Sequence, residues 1–225
     1  MPRVTVSPKG MSDTISLDPS GSFAFPKRVI DRLKWSVPGM VKVDYLLDRE
    51  MSEAPLTLFL SSINDTQQTG FTLSYLNATR DGGSGGKIKL QSMVRTVISP
   101  RVVLPIDNLT PIYPRTELAD MVLMLTQPMW TSLEFTLAKL QVIPNDLIGV
   151  YQILNESGKP VKIGQGNLAN RLREHLKEER YIRVAKTAQY FPVSLKEDAP
   201  IFEQVLLAQH EMVYDALPEM HRIRA

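Results

Sequence analysis

Gly149–Leu176, GVYQILNESGKPVKIGQGNLANRLREHL, carries most of the information in the carboxy-terminal third of the chain. Gly149-Val150-Tyr151 sits in an apolar run, and a glycine-containing turn follows at Glu156 to Lys159. Val161-Lys162-Ile163-Gly164 then reads as the returning strand of a hairpin. After Gly166 the pattern turns helical: Leu168, Leu172 and His175 share one face with Arg171, and Asn167 is placed to cap the first turn. A second helical run, IFEQVLLAQHEMVYDAL, begins at Ile201 and carries Glu203.

This order resembles the GIY-YIG nuclease family, whose small domain opens with a hairpin bearing its two name motifs and continues into a helix with a signature arginine. Gly149-Val150-Tyr151 stands where the family has GIY, Lys162-Ile163-Gly164 where it has YIG, and Asn170-Arg171-Leu172 where it has Arg-Leu. Glu203 is offered as the family's metal-binding glutamate, and Tyr214-Asp215 lies at about the distance where many members have Tyr-Asn. The second tyrosine of the pattern is Lys162, as in members of the phage-associated branch that carry Lys-Ile-Gly. The resemblance implies a fold of a short antiparallel sheet flanked by helices and a phage or mobile-element setting.

Phosphodiester hydrolysis needs an activated water, positive charge to meet the charge developing on phosphorus, and stabilisation of the leaving oxygen. The resemblance assigns candidates to each need. Glu203 would hold one divalent ion, magnesium or manganese, which prefers hard oxygen ligands. Arg171 would grip the phosphate through its planar fork. Tyr151 would position or deprotonate the attacking water, with His175 supporting it or orienting the phosphate. Lys162 acts as a base if burial or Arg171 depresses its pKa, and otherwise adds a cation near the phosphate.

The chain has 225 residues, enough for two small domains or one large one, and 43% of them are apolar, ordinary for a protein with a real core. With no cysteine, disulfides and thiolate metal sites are excluded. The histidines, His175, His210 and His221, are too few for an all-imidazole zinc site. The start, MPRVTVSPKGMSD, has no apolar core of a signal peptide, and no apolar run reaches membrane-spanning length, so the expected location is cytoplasmic with no membrane association. Net charge is +2, which argues against nucleic-acid binding by bulk charge. Distribution matters more: Lys159, Lys162, Arg171, Arg173, Lys177, Arg180, Arg183 and Lys186 face only Glu174, Glu178 and Glu179 between Lys159 and Lys186. Arg173 and Lys177 are therefore candidates for nucleic-acid contact. A solvated helix face laced with pairs such as Glu174 with Lys177 is the plainer alternative.

Nearer the start, any strand in Val4–Leu17 is brief. SLDPSGSFAFPK (16–27) then gives a strand, a turn and a second alternating strand, and Pro26 opens a short helix with Val29, Leu33 and Trp35 on its buried side. Pro38-Gly39 turns into strands at Met40–Leu47 and Leu56–Ser61. The core GSFAFPKRVIDRLKWSVPGMVKVDY, within Ile15–Ser61, resembles the swapped-hairpin DNA-binding domains of the AbrB, MazE and MraZ type. That resemblance implies a homodimer of interlocked copies, with Lys27, Arg28 and Arg32 on the phosphate backbone.

Phe71–Leu76 alternates, Lys87–Ile98 is expected to be extended, and Arg101–Leu104 is expected as a strand ending at Pro105. The run DGGSGG (81–86) lacks the ending and helix of a phosphate loop and reads as a long hairpin connection. Gly85-Gly86-Lys87-Ile88 and Val102-Val103-Leu104-Pro105 repeat the earlier strand-to-proline order as a faint second copy. The alternation of Leu133, Phe135 and Leu137 favours a strand. Pro144-Asn145-Asp146 marks the expected boundary between a β-rich domain, 1–144, and a GIY-YIG-like nuclease domain, 145–225, in an α+β chain.

The two resemblances together imply a DNA-binding protein with a metal-dependent DNA endonuclease domain. The alternative is a catalytically impaired relative acting as a DNA-binding regulator, or as a protein-binding subunit of a larger complex. An exposed apolar patch between Pro100 and Leu140 would favour the last.

Overall fold

The computed structural model describes residues 13–63, 70–75 and 85–221. The expected brief strand at Val4–Leu17 falls outside these before residue 13, and so does the glycine run at 81–84. Among the described residues no helix is long and apolar enough to cross a membrane. Two units form. One lies within Met1–Asp44, Leu58–Pro111 and Ala119–Leu125, the other within Tyr45–Thr57, Ile112–Leu118 and Thr126–Ala225.

In the first unit, β1 (Ile15–Leu17) and β2 (Ser22–Pro26) form an antiparallel hairpin. Pro26, with φ fixed at −58°, leads into α1 (Lys27–Leu33), which ends where Lys34 takes up left-handed backbone. Val29 and Ile30 are the buried residues of α1, so Ile30 takes the place expected for Leu33, and Trp35 packs edge-on against Phe25 at 6.0 Å. After a cis Val37-Pro38 bond come β3 (Gly39–Leu46) and β4 (Thr57–Ser62).

The chain then repeats this plan. β5 (Phe71–Tyr75) and β6 (Gly85–Lys89) are antiparallel, a helical segment follows, and a cis Leu104-Pro105 bond precedes β7 (Ile106–Leu109) and β8 (Met121–Met124). The sheet order is β7-β1-β2-β6-β5-β3-β4-β8. β2 meets β6, with Ala24 opposite Lys87, and each repeat's first strand pairs with the strand after the other repeat's cis proline: Ile15 faces Leu109, and Leu73 faces Gly39. Two β-β-α-β repeats have exchanged strands within one chain.

Two expected strands are corrected here. Lys87–Ile98 is extended only to Lys89; α2 (Gln91–Met93) follows and runs into a π-helical turn at Val94–Ile98. Leu90, Val94, Val97 and Ile98 are buried, a helical rather than an alternating spacing. Arg101–Leu104 forms no strand, and Val103 within it is 91% exposed; pairing starts after Pro105, which has no N–H to give a ladder.

The second unit is built on a four-stranded antiparallel sheet, ordered β11-β10-β12-β9. Its elements are β9 (Thr131–Glu134), α3 (Leu137–Leu140), β10 (Ile148–Asn155), β11 (Pro160–Asn167), α4 (Leu168–Leu176), α5 (Glu179–Val184), β12 (Ala185–Pro192) and α6 (Asp198–Tyr214). The strand expected through Leu137 stops at Glu134: Phe135 turns inward, whereas Leu137 starts α3 and is exposed. Pro144-Asn145-Asp146 is a loop, but β9 upstream of it hydrogen-bonds β12, with Thr187 opposite Glu134. A break in local structure at 144 therefore lies inside the unit rather than at its edge.

β10 is central and buried on both faces. Tyr151, Ile153, Leu168, Leu172 and Tyr181 form one core cluster with Val161. Val150, Ile163, Phe191, Phe202 and Leu206 form another, in which the rings of Phe191 and Phe202 stand edge to face at 5.5 Å. Each fully buried aliphatic or aromatic side chain contributes roughly 2 kcal/mol.

Candidate active site

The hairpin sets the first half of the site. Tyr151 on β10 lies directly opposite Gly164 on β11. A Cβ at position 164 would overlap the Tyr151 hydroxyl and ring edge, so glycine is what lets the tyrosine lie across the returning strand. Gly166, at φ +122°, turns the chain into α4, and the Asn167 side chain accepts the amide of Asn170 at 2.9 Å. The predicted cap is present. From it, Leu168, Leu172 and His175 fall on the buried face, while Arg171, one step round, reaches the cavity.

A cavity of about 570 Å³ opens there. Tyr151 from β10, Lys162 from β11, Arg171 from α4 and Glu203 from α6 all line it, together with Gly164. His175 does not line it; it lies behind Tyr151, whose Oη is 2.7 Å from His175 Nε2. Burial, reinforced by Lys162 and Arg171, lowers the His175 pKa to about 4, so the ring is neutral near pH 7 and its Nε2 accepts the Tyr151 O–H. Nδ1 then carries the proton and faces Glu178 Oε1 at 3.5 Å. Burial also pushes the Tyr151 phenol well above its ordinary value, against the pull of Arg171. The proton stays on Tyr151, which is fully buried and is not a base at rest.

Several lining residues carry no signal in the local sequence. Pro114, Arg115 and Thr116 form one wall; Thr116 Oγ1 donates to Gln204 Oε1 at 2.9 Å, and Arg115 pairs with Glu211. His221 lines the cavity as well, its Nδ1 3.5 Å from Lys162 Nζ. Burial, then the neighbouring Lys162 charge, hold its pKa below the ordinary histidine value. Tyr214-Asp215 lies elsewhere: Tyr214 ends α6, stacks on His210 and meets Lys159, with Asp215 as the left-handed cap.

The predicted basic face is largely paired. Arg171 bonds Glu174 at 3.0 Å, in place of the expected Glu174–Lys177 pair, and Arg180 bonds Glu178 at 2.6 Å. Arg173 donates to Asn145 Oδ1 at 3.0 Å and points toward the Leu140 carbonyl, so it ties the loop before β10 to α4 and does not line the cavity. Lys177 is exposed at the end of α4. In the first unit, Lys27, Arg28 and Arg32 are exposed on α1; Lys27 pairs with Asp31 at 3.2 Å and Arg28 with Asp13 at 3.4 Å. Such exposed pairs are worth under about 1 kcal/mol and yield readily to a phosphate.

Among the described residues no three His, Asp or Glu side chains gather as a ready-made metal cage. The half-buried Glu203 carboxylate in the cavity is nonetheless a hard oxygen donor of the kind magnesium or manganese takes together with water and phosphate oxygens. In comparisons with known proteins, no family model, no curated sequence and no solved structure matches the chain.

Proposed function

We propose that the chain is a DNA endonuclease of GIY-YIG type, hydrolysing a phosphodiester in the cavity of the second unit. The observation that carries this is convergence: Tyr151, Lys162, Arg171 and Glu203 come from four separate elements and line one cavity. A structural role for each would not require them to meet.

In this reading the Arg171 fork and the Lys162 ammonium bind the phosphate oxygens and meet the charge that builds on them. Tyr151, its own proton directed to His175, is fully buried in this state and would orient the attacking water once substrate binding opens the cavity to its oxygen. Glu203 holds the divalent ion, which when bound supplies Lewis acidity at the phosphate. The water oxygen forms a bond to phosphorus as the bond to the leaving oxygen breaks; the water's proton passes to solvent, and the leaving oxygen takes up a proton from solvent to depart as an alcohol.

The first unit serves as the DNA-holding part, with Lys27, Arg28 and Arg32 on phosphates. The exchanged strands of its two β-β-α-β repeats support the swapped-hairpin resemblance, with both interlocking copies supplied by one chain. No second molecule is needed to complete that sheet.

The test is nicking of supercoiled plasmid with magnesium or manganese, with chelator, and with Glu203→Ala. Metal-dependent nicking that the variant loses while still binding duplex supports the assignment; nicking retained by Glu203→Ala sinks it. One observation favours a second reading, a DNA-binding regulator without hydrolysis: Lys162 replaces the second tyrosine, and Tyr151 is no base at rest. Salt-sensitive duplex binding with no nicking by the intact protein would select that reading.

A further inference from the structure

The segment after α6 is fastened along β11. Buried His210 sets its two ring nitrogens 2.8 Å from the Ala216 carbonyl and 3.2 Å from the Pro160 carbonyl, joining the end of α6 to the start of the strand. The Met220 amide donates to the Val161 carbonyl at 2.9 Å, and Lys159 reaches Glu219 at 3.5 Å. Met220 packs into the core beside Val161. On the strand side the fastened positions, Lys159 to Lys162, are consecutive, so the strap runs alongside the start of β11. Its next residue, His221, arrives beside Lys162.

We infer that this strap is part of the active site, and that His221 is a positioning residue which holds the Lys162 ammonium in the cavity as a donor to the substrate phosphate. A neutral imidazole has one N–H and one lone pair. Nδ1 faces Lys162 Nζ at 3.5 Å and is the acceptor, which leaves the N–H on the other ring nitrogen. With its lone pair turned to the ammonium, His221 acts through Lys162. An ammonium only donates, so the lone pair of Nδ1 suits it. The same cavity wall carries Tyr151, Arg171, Glu203, Glu211 and Arg115. An imidazolium here would add a third cation beside Lys162 and Arg171 and remove the acceptor.

The inference rests on the proposed hydrolysis, and two measurements separate their failures. The first reads the full-length protein by NMR, following the His221 ring through a pH titration, its signal identified by its loss in His221→Gln. The titration midpoint lies below the ordinary histidine value, and it rises in Lys162→Met. An unmoved midpoint overturns the contact whether or not the protein cleaves DNA. The second reads plasmid nicking. His221→Leu lowers kcat on the order of tenfold with KM little changed, because a misdirected donor costs rate rather than binding. His221→Gln, whose carboxamide oxygen can still accept from Lys162, recovers most of it and loses the acidic fall in rate belonging to His221. Equal damage from Leu and Gln overturns the positioning role. If the intact protein cleaves nothing, the hydrolysis falls and the NMR result alone decides the strap's hold on Lys162.

Discussion

His175 shows how a buried group ties stability to pH. It is 7% exposed, and its pKa falls from 6.5 to about 4 on folding. The unfolded chain therefore binds a proton more readily, so stability rises with pH between about 4 and 6.5 and is lost as pH falls through that window. The full difference is about 3 kcal/mol. Denaturant titrations at several pH values should show His175→Gln flattening that slope; an unchanged slope would mean that the ring is not buried neutral. Gly164→Ala is a sharper change. The added methyl meets the Tyr151 hydroxyl end, which is held by the His175 ring, and a loss of about 2 kcal/mol is expected in urea unfolding. Nicking should fall with it, since Tyr151 must shift.

Among elements, α6 depends on a clamp at its start. Asp48, 6% exposed, accepts the amides of Glu50 and Met51 and both the amide and hydroxyl of Ser194. Burial alone would raise its pKa; the bonds from Ser194, Met51 and Glu50 outweigh that and hold the carboxyl below its usual range. This support is present at neutral pH and is lost as pH drops through the carboxylate range. Asp48→Ala leaves those donors without their acceptor and should cost about 2 kcal/mol in chemical denaturation. A cost below experimental error would show that Ser194 and the start of α6 are fixed by other contacts.

The hairpin, the Asn167 cap and the α6 run were legible because each carries its own short-range pattern. Val94–Ile98 was not, because a β-rich run of valine and isoleucine looks alike in either period until its neighbours bury one face. Within the site, Tyr151, Lys162, Arg171 and Glu203 could be named from the order of motifs. Arg115, Thr116 and His221 could not, since only tertiary contacts bring them to the cavity.

For the molecule as a whole, the strand exchange between repeats makes a prediction about pieces. Residues 13–63 hold one repeat, whose β1 and β3 find their partners, β7 and β5, in the other. Light scattering after gel filtration should show that this fragment is either unfolded or paired with a second copy. A fragment monomer that unfolds cooperatively would contradict the exchange. Of the faint second copy in the sequence, Gly85–Ile88 lies in β6, whereas Val102–Leu104 forms no strand and leads into the cis Leu104-Pro105 bond.

The second unit takes Tyr45–Thr57 and Ile112–Leu118 from between stretches of the first. Transplanting 145–225 into another host would leave β12 with a bare edge where β9 had lain, and a cavity without its Arg115–Thr116 wall. Gene rearrangement with one cut on each side could not pass this unit on intact, so the two units are inherited together or not at all.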